Sequence, residues 1–81
     1  MAELMPHPVL IIDDDQELCE LLTDWLAGED FALTAAHDGP SGLQAATQGE
    51  FVAIILDVML PGMNGLEILR QLRQSCQTPL L

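Results

Sequence analysis

Val9-Leu10-Ile11-Ile12-Asp13-Asp14-Asp15 decides how this chain is read. Four apolar residues in an unbroken row do not alternate with polar ones, so the run reads as a strand buried on both faces. It stops abruptly at acids. Asp15-Gln16-Glu17 then reads as a helix start, with Asp15 as N-cap and carboxylates at the positive end of the dipole. Leu18, Leu21, Leu22, Trp25 and Leu26 follow at i, i+3, i+4, i+7 and i+8, one apolar stripe predicted to face the core. Gly28 is placed to stop that helix.

The pattern then repeats. Residues 31–36 alternate weakly and read as a second strand. Asp38-Gly39-Pro40 turns the chain into a second helix over about 41–48, with Leu43 and Ala46 or Thr47 inward and Gly49 at its end. Residues 51–56 form the third predicted strand, which again stops at an aspartate, Asp57. The loop Val58-Met59-Leu60-Pro61-Gly62-Met63-Asn64-Gly65 is rich in turn formers. Asn64 is a good N-cap, with Glu67 three residues later as a variant capping box. Leu66, Ile68 or Leu69, and Leu72 give a third helix its inward side. Thr78-Pro79-Leu80-Leu81 reads as the start of a fourth strand. Strands alternating with helices predict an α/β fold, a parallel sheet covered on both faces.

Bulk properties narrow the partners. Eighty-one residues suit one small domain, and 49% hydrophobic content makes it globular. Lys and Arg total 2 against 13 Asp and Glu, a net charge of -11. That argues against nucleic acid or an anionic membrane bound by this segment, and favours a metal cation or a basic partner face. Cys19 and Cys76 match no metal or CxxC spacing and are expected to be ordinary small apolar residues in a reducing, cytoplasmic compartment. No signal peptide or spanning segment is evident.

The informative feature is where the acids sit. In a parallel sheet the strand C-termini share one edge, and ligands bind just outside it. If the first and third strands are neighbours, about 5 Å apart, then Asp13, Asp14 and Asp57 converge. Three carboxylates in one place repel, so some hold protons or a cation joins them. Mg²⁺ suits such oxygens, since it binds few carboxylates and keeps several waters. An ion there would attract a phosphoryl group toward a carboxylate nucleophile. The residues therefore predict a Mg²⁺-dependent site that handles phosphate on an aspartate. Capping accounts for Asp15 alone, but not for the other three together. A rival reading takes Asp13-Asp14-Asp15 as the DxD of a haloacid-dehalogenase-like phosphatase, with Asp13 as nucleophile and Asp15 as acid/base. The Thr-Gly-type continuation of that family is absent.

These residues resemble the receiver domain of bacterial response regulators, of the CheY-like superfamily. The strand ending in Asp13-Asp14, the junction Ala36-His37-Asp38-Gly39 and the loop 57–65 carry the likeness, which covers the chain after Pro8. The wording of 60–65 is most similar to OmpR/PhoB-type transcriptional regulators. The resemblance implies a flavodoxin-like sheet with strand order 2-1-3-4-5. It makes Asp57 the acceptor of phosphate from a sensor histidine kinase, in a signalling domain rather than an enzyme. Asp14, Asp57 and the backbone carbonyl of Met59 would bind Mg²⁺, Asp13 would act through a water, and Pro61 and Gly62 would shape the loop. The first helix would provide much of the kinase docking face.

The family also reads its phosphate with a Ser or Thr after the fourth strand and a Lys after the fifth. This chain has no lysine, and its only basic side chains, Arg70 and Arg73, read as solvated. The expectation is an extension over 1–8 and a partial, truncated receiver over 9–81, with three βα units plus the start of a fourth strand. Such a piece is expected to transmit no signal and to self-associate through its uncovered edge. A receiver-like interaction module that no longer handles phosphate is the remaining alternative.

Overall fold

Among the described residues three strands and three helices alternate: β1 (His7–Ile12), α1 (Gln16–Ala27), β2 (Phe31–Ala36), α2 (Gly39–Gln48), β3 (Ala53–Leu56) and α3 (Gly65–Ser75). They belong to a computed structural model that describes residues 6–57, 59–60, 64–75 and 78–79. The strands form one sheet in the order β2-β1-β3, parallel throughout. The sequence-based α/β reading and the strand order implied by the resemblance both hold for these three strands.

β1 lies in the middle, and its four apolar residues are all buried. Successive side chains leave a strand on opposite faces. Leu10 and Ile12 accordingly join Ile54 of β3 in a core with Ala46 of α2, Ile68 and Leu72 of α3, and Leu60. Val9 and Ile11 serve the other face. There Val9, Leu26, Phe31, Ala53 and Ile55 line an apolar groove beside α1.

α1 corrects the sequence reading. Its span matches, and Asp15 caps it by accepting the Leu18 N–H at 3.0 Å. The inward face, however, is Cys19, 2% exposed, with half-buried Leu22, Thr23 and Leu26. Leu21 and Trp25 are 68% and 67% exposed, and Leu18 is exposed as well. The apolar sector is wider than the surface that the sheet covers, and the helix, which packs against β2, is turned so that Cys19 and Thr23 lie inward beside Leu22 and Leu26. Thr23 sits inward without penalty because its hydroxyl donates to the Cys19 carbonyl at 2.7 Å. Gly28 does end the helix, but with right-handed φ of -72°; the left-handed residue of the turn is Asp30, with φ of 67°. Aspartate is among the few residues that tolerate that region.

α2 begins two residues before expectation because Asp38 takes the cap and accepts the Ser41 N–H at 2.8 Å. That backbone bond, and then the Ser41 hydroxyl, hold the Asp38 carboxyl below its ordinary range. Gly42 is buried against β1: a Cβ there would stand 2.6 Å from Cδ1 of Ile12 and 2.8 Å from its Cγ1 and Cγ2. Ala46 is inward as expected, whereas Thr47 is exposed.

β3 is shorter than predicted. Phe51 packs against the core, and Val52 instead donates its N–H to the Pro8 carbonyl at 2.8 Å. Asn64 opens α3 by accepting the Leu66 N–H at 2.7 Å. Glu67 does not reach back to complete a capping box; it pairs along the helix with Arg70 and Gln71. Of α3's expected inward residues, Ile68 and Leu72 are buried and Leu66 is exposed. Arg73 is not simply solvated, since it donates to the Thr78 carbonyl at 2.6 Å. The Pro79 carbonyl in turn accepts the Ile54 N–H at 2.8 Å, so the chain after α3 returns to the free side of β3. Pro61, Gly62, Cys76, Leu80 and Leu81 lie outside the described residues, as do 1–5 of the expected extension.

Candidate metal and phosphoryl site

Register builds the site. Ile12 pairs with Ala36 of β2 on one side and with Leu56 of β3 on the other. The next residue of each strand is therefore His37, Asp13 and Asp57, side by side at the C-terminal edge. Two backbone bonds hold this row: Asp13 N–H to the Ala36 carbonyl at 3.0 Å, and Asp57 N–H to the Ile12 carbonyl at 2.9 Å.

Carboxylate oxygens of Asp13, Asp14 and Asp57 all lie within 4.8 Å of one another. Asp14 is exposed, while Asp13 and Asp57 are half-buried. The structure thus brings together the three side chains that the sequence singled out. Asp13 Oδ1 accepts the Asp15 N–H at 2.9 Å, which shapes the turn into α1. Asp57 Oδ1 accepts the Met59 N–H at 2.9 Å and draws the backbone of residue 59 back toward the cluster. Asp15 stays outside the group, with its carboxylate committed to capping α1. That position leaves the DxD reading without its acid/base.

The donor set fits a hard divalent cation. All three groups offer carboxylate oxygen, the cluster opens to water on the Asp14 side, and no described cation neutralises it. Met59 is 81% exposed, so its side chain takes no part in the core. Leu60, by contrast, is buried in the core with Ile54, Ile68 and Leu72, which its place in a turn-rich loop did not foretell.

Two further residues border the cluster. Cys19 is buried, with Sγ 3.7 Å from the Asp13 carbonyl oxygen. Burial first, then the negative charges of Asp13, Asp15, Asp14 and Glu20, push its thiol up, so it stays protonated. His37 places Nδ1 3.0 Å from the same carbonyl. The sequence pointed to His37 only as part of a strand–helix junction; its partner is 24 residues away and invisible to local spacing.

Comparison with known proteins agrees with this geometry. The response regulator receiver domain model matches residues 9–81. The uncharacterized transcriptional regulatory protein YkoG of Bacillus subtilis is 42% identical over 90% of this chain and 32% of its own length. The chain thus spans about a third of that curated relative. The response regulator TrrA of Thermotoga maritima, in complex with Mg²⁺-BeF, superposes with a TM-score of 0.77 at 31% identity, over 84% of this chain and 59% of that one. TrrA in complex with the histidine kinase ThkA gives a TM-score of 0.82 at 28% identity, over 91% and 65%. The expected kinship with transcriptional regulators therefore stands. No helix among the described residues is long and apolar enough to cross a membrane. With the family model spanning nearly the whole chain and the acidic strand ends placed as that fold requires, the chain belongs to the response regulator receiver domain family of two-component signalling.

Proposed function

We propose that this segment accepts a phosphoryl group on Asp57 with Mg²⁺ held by the same acidic edge. The observation that carries the reading is the convergence of Asp13, Asp14 and Asp57 at the strand ends, with oxygens within 4.8 Å. Asp14 and Asp57 would hold the ion directly, with the Met59 carbonyl as a third ligand. Asp13, one of whose oxygens already accepts the Asp15 N–H, would act through a water. When bound, the ion would neutralise the carboxylates and attract phosphoryl oxygens. An Asp57 oxygen then forms the new O–P bond as the P–N bond of a phosphohistidine donor breaks, the departing imidazole nitrogen keeping the electron pair.

The donor is a sensor histidine kinase, by analogy with the TrrA–ThkA complex. Its docking face on this chain is α1, where Leu18, Leu21 and Trp25 stand exposed. A role in transcriptional regulation is supported by the name of the relative YkoG; action in the cytoplasm, and DNA binding by residues other than these 81, belong to the same proposal. Residues 9–81 serve as receiver. With no lysine among the 81 residues, the segment by itself takes up phosphate weakly and transmits no conformational change.

Titrating MgCl₂ into the isotopically labelled chain tests the metal half of this reading. Saturable amide shifts at Asp13, Asp14, Asp57 and Met59, reversed by a chelator, are expected. Shifts spread evenly over the acidic surface would sink it.

The same segment is proposed to self-associate. Val9, Leu26, Phe31, Ala53 and Ile55 line an apolar groove on the sheet beside α1, part of the uncovered edge through which the segment would pair. A second copy is the occupant favoured, because it offers an identical face to bury. The net charge of -11 opposes this, so association should strengthen with added salt. Light scattering at micromolar concentration should show a dimer or larger species that Ile55→Glu, in the groove, dissociates. A monomer under all salt conditions would refute it.

A further inference from the structure

We infer that His37 is a positioning residue for the acidic turn: its Nδ1–H, together with the Cys19 thiol, grips the Asp13 carbonyl and so sets how Asp13 and Asp14 meet Mg²⁺. The inference rests on the Mg²⁺ reading above.

The geometry starts from the register. His37, Asp13 and Asp57 are the first residues beyond three strands whose ends are level. A backbone carbonyl can only accept. At 3.0 Å from the Asp13 oxygen, His37 Nδ1 must therefore carry the proton, which fixes the ring's orientation. The Cys19 Sγ lies 3.7 Å from that oxygen and 3.9 Å from His37 Nδ1. As the carbonyl is an acceptor, both side chains converge on it as donors.

Both polar groups of the Asp13 main chain are thereby tied to the β2–α2 junction. Its N–H donates to the Ala36 carbonyl at 3.0 Å, and its carbonyl accepts from the next residue, His37. The Asp13–Asp14 peptide bond, which this carbonyl belongs to, is thus held at the point where two acidic side chains diverge. Without the clamp that peptide plane can rotate, and the Asp13 and Asp14 carboxylates lose their shared aim. Removing a partner that orients a metal ligand generally costs about 10–100-fold in affinity. His37 is exposed and contributes little to the core, so its conspicuous contact is this bond.

Amide-shift titration with MgCl₂, on the full chain and its variants, provides the test. His37→Phe keeps a ring but has no donor, and is expected to weaken Mg²⁺ binding about tenfold. His37→Asn places an N–H donor near the position of Nδ1, and is expected to bind within about threefold of the parent chain, as a retained hydrogen bond allows. A plain packing role would instead leave Phe closer to the parent than Asn. Equal affinity in all three chains, or equal loss in both variants, would overturn the inference. If the parent chain itself shows no saturable shifts at the acidic residues, the metal reading fails first and this inference falls with it. Should His37→Phe not fold, the Asn variant and the ¹⁵N shifts of the parent His37 ring decide. A protonated Nδ1 with parent-like binding by Asn supports the clamp, and a ring protonated only on Nε2 refutes it.

Discussion

Changing Asp57 to asparagine is expected to abolish phosphoryl uptake while leaving the metal-free fold slightly more stable than before. Asparagine keeps the side-chain oxygen that accepts the Met59 N–H at 2.9 Å, so the local turn survives. It removes one carboxylate from a group whose oxygens lie within 4.8 Å of each other. At that separation and an effective dielectric near 20, two full charges repel by roughly 3 kcal/mol. Exposure of Asp14 screens part of this, so a net gain of about 1 kcal/mol in metal-free stability is expected. Mg²⁺ affinity should fall by more than about tenfold, since losing a ligand costs no less than losing the partner that orients one. Uptake is read by intact-mass spectrometry after incubation with phosphoramidate and Mg²⁺, and stability by urea denaturation. Because the segment lacks lysine, the parent signal is expected to be small; its disappearance in the variant is the decisive quantity. An adduct that persists in Asp57→Asn would move the acceptor elsewhere.

Leu10→Ala is expected to remove most of the stability of the chain, whereas Leu21→Ala should hardly register. Leu10 is fully buried at the middle of the central strand, in the cluster with Ile54, Ile68 and Leu72. Buried Leu→Ala changes cost about 2–5 kcal/mol, by lost burial plus the cavity left behind. A folded domain of 81 residues has only about 4–12 kcal/mol to lose. Leu21 belongs to the stripe that periodicity assigns to the core, yet it is 68% exposed. Its truncation should stay within about 0.5 kcal/mol. Urea unfolding followed by circular dichroism separates the two. Comparable losses would mean that α1 is turned otherwise than described, or that its outer face is buried by association; dilution tells these apart.

The contrast between Leu10 and Leu21 marks how far the chain was legible by itself. An unbroken apolar run such as Val9-Leu10-Ile11-Ile12 has one reading, burial on both sides, so the central strand follows without further information. Asp13, Asp14 and Asp57 were legible for a related reason. Parallel strands end on a common edge, and an acid directly after a buried strand therefore has a known address. Asp15 and Asn64 were legible as caps because a cap bonds its own neighbours two or three residues on.

Other features are decided by partners far away in the chain. A helical stripe of five apolar residues does not say which third of it a sheet will cover. The choice of Cys19 over Leu18 and Leu21 depends on how α1 lies against β2. Leu60 looks like a loop residue until α3 folds over it. Arg73 looks solvated until the chain turns back and presents the Thr78 carbonyl.

Taken alone, then, the sequence determined the alternation of strands and helices, the acidic strand ends and the family, because those rest on local periodicity and on residues adjacent to strand termini. Only the tertiary structure decided which side of α1 faces inward, that β1 is flanked by β2 and β3 in level register, and that His37 and Cys19 meet at the Asp13 carbonyl. Those contacts join residues up to 24 positions apart, and no spacing rule within a single element reaches across such a distance.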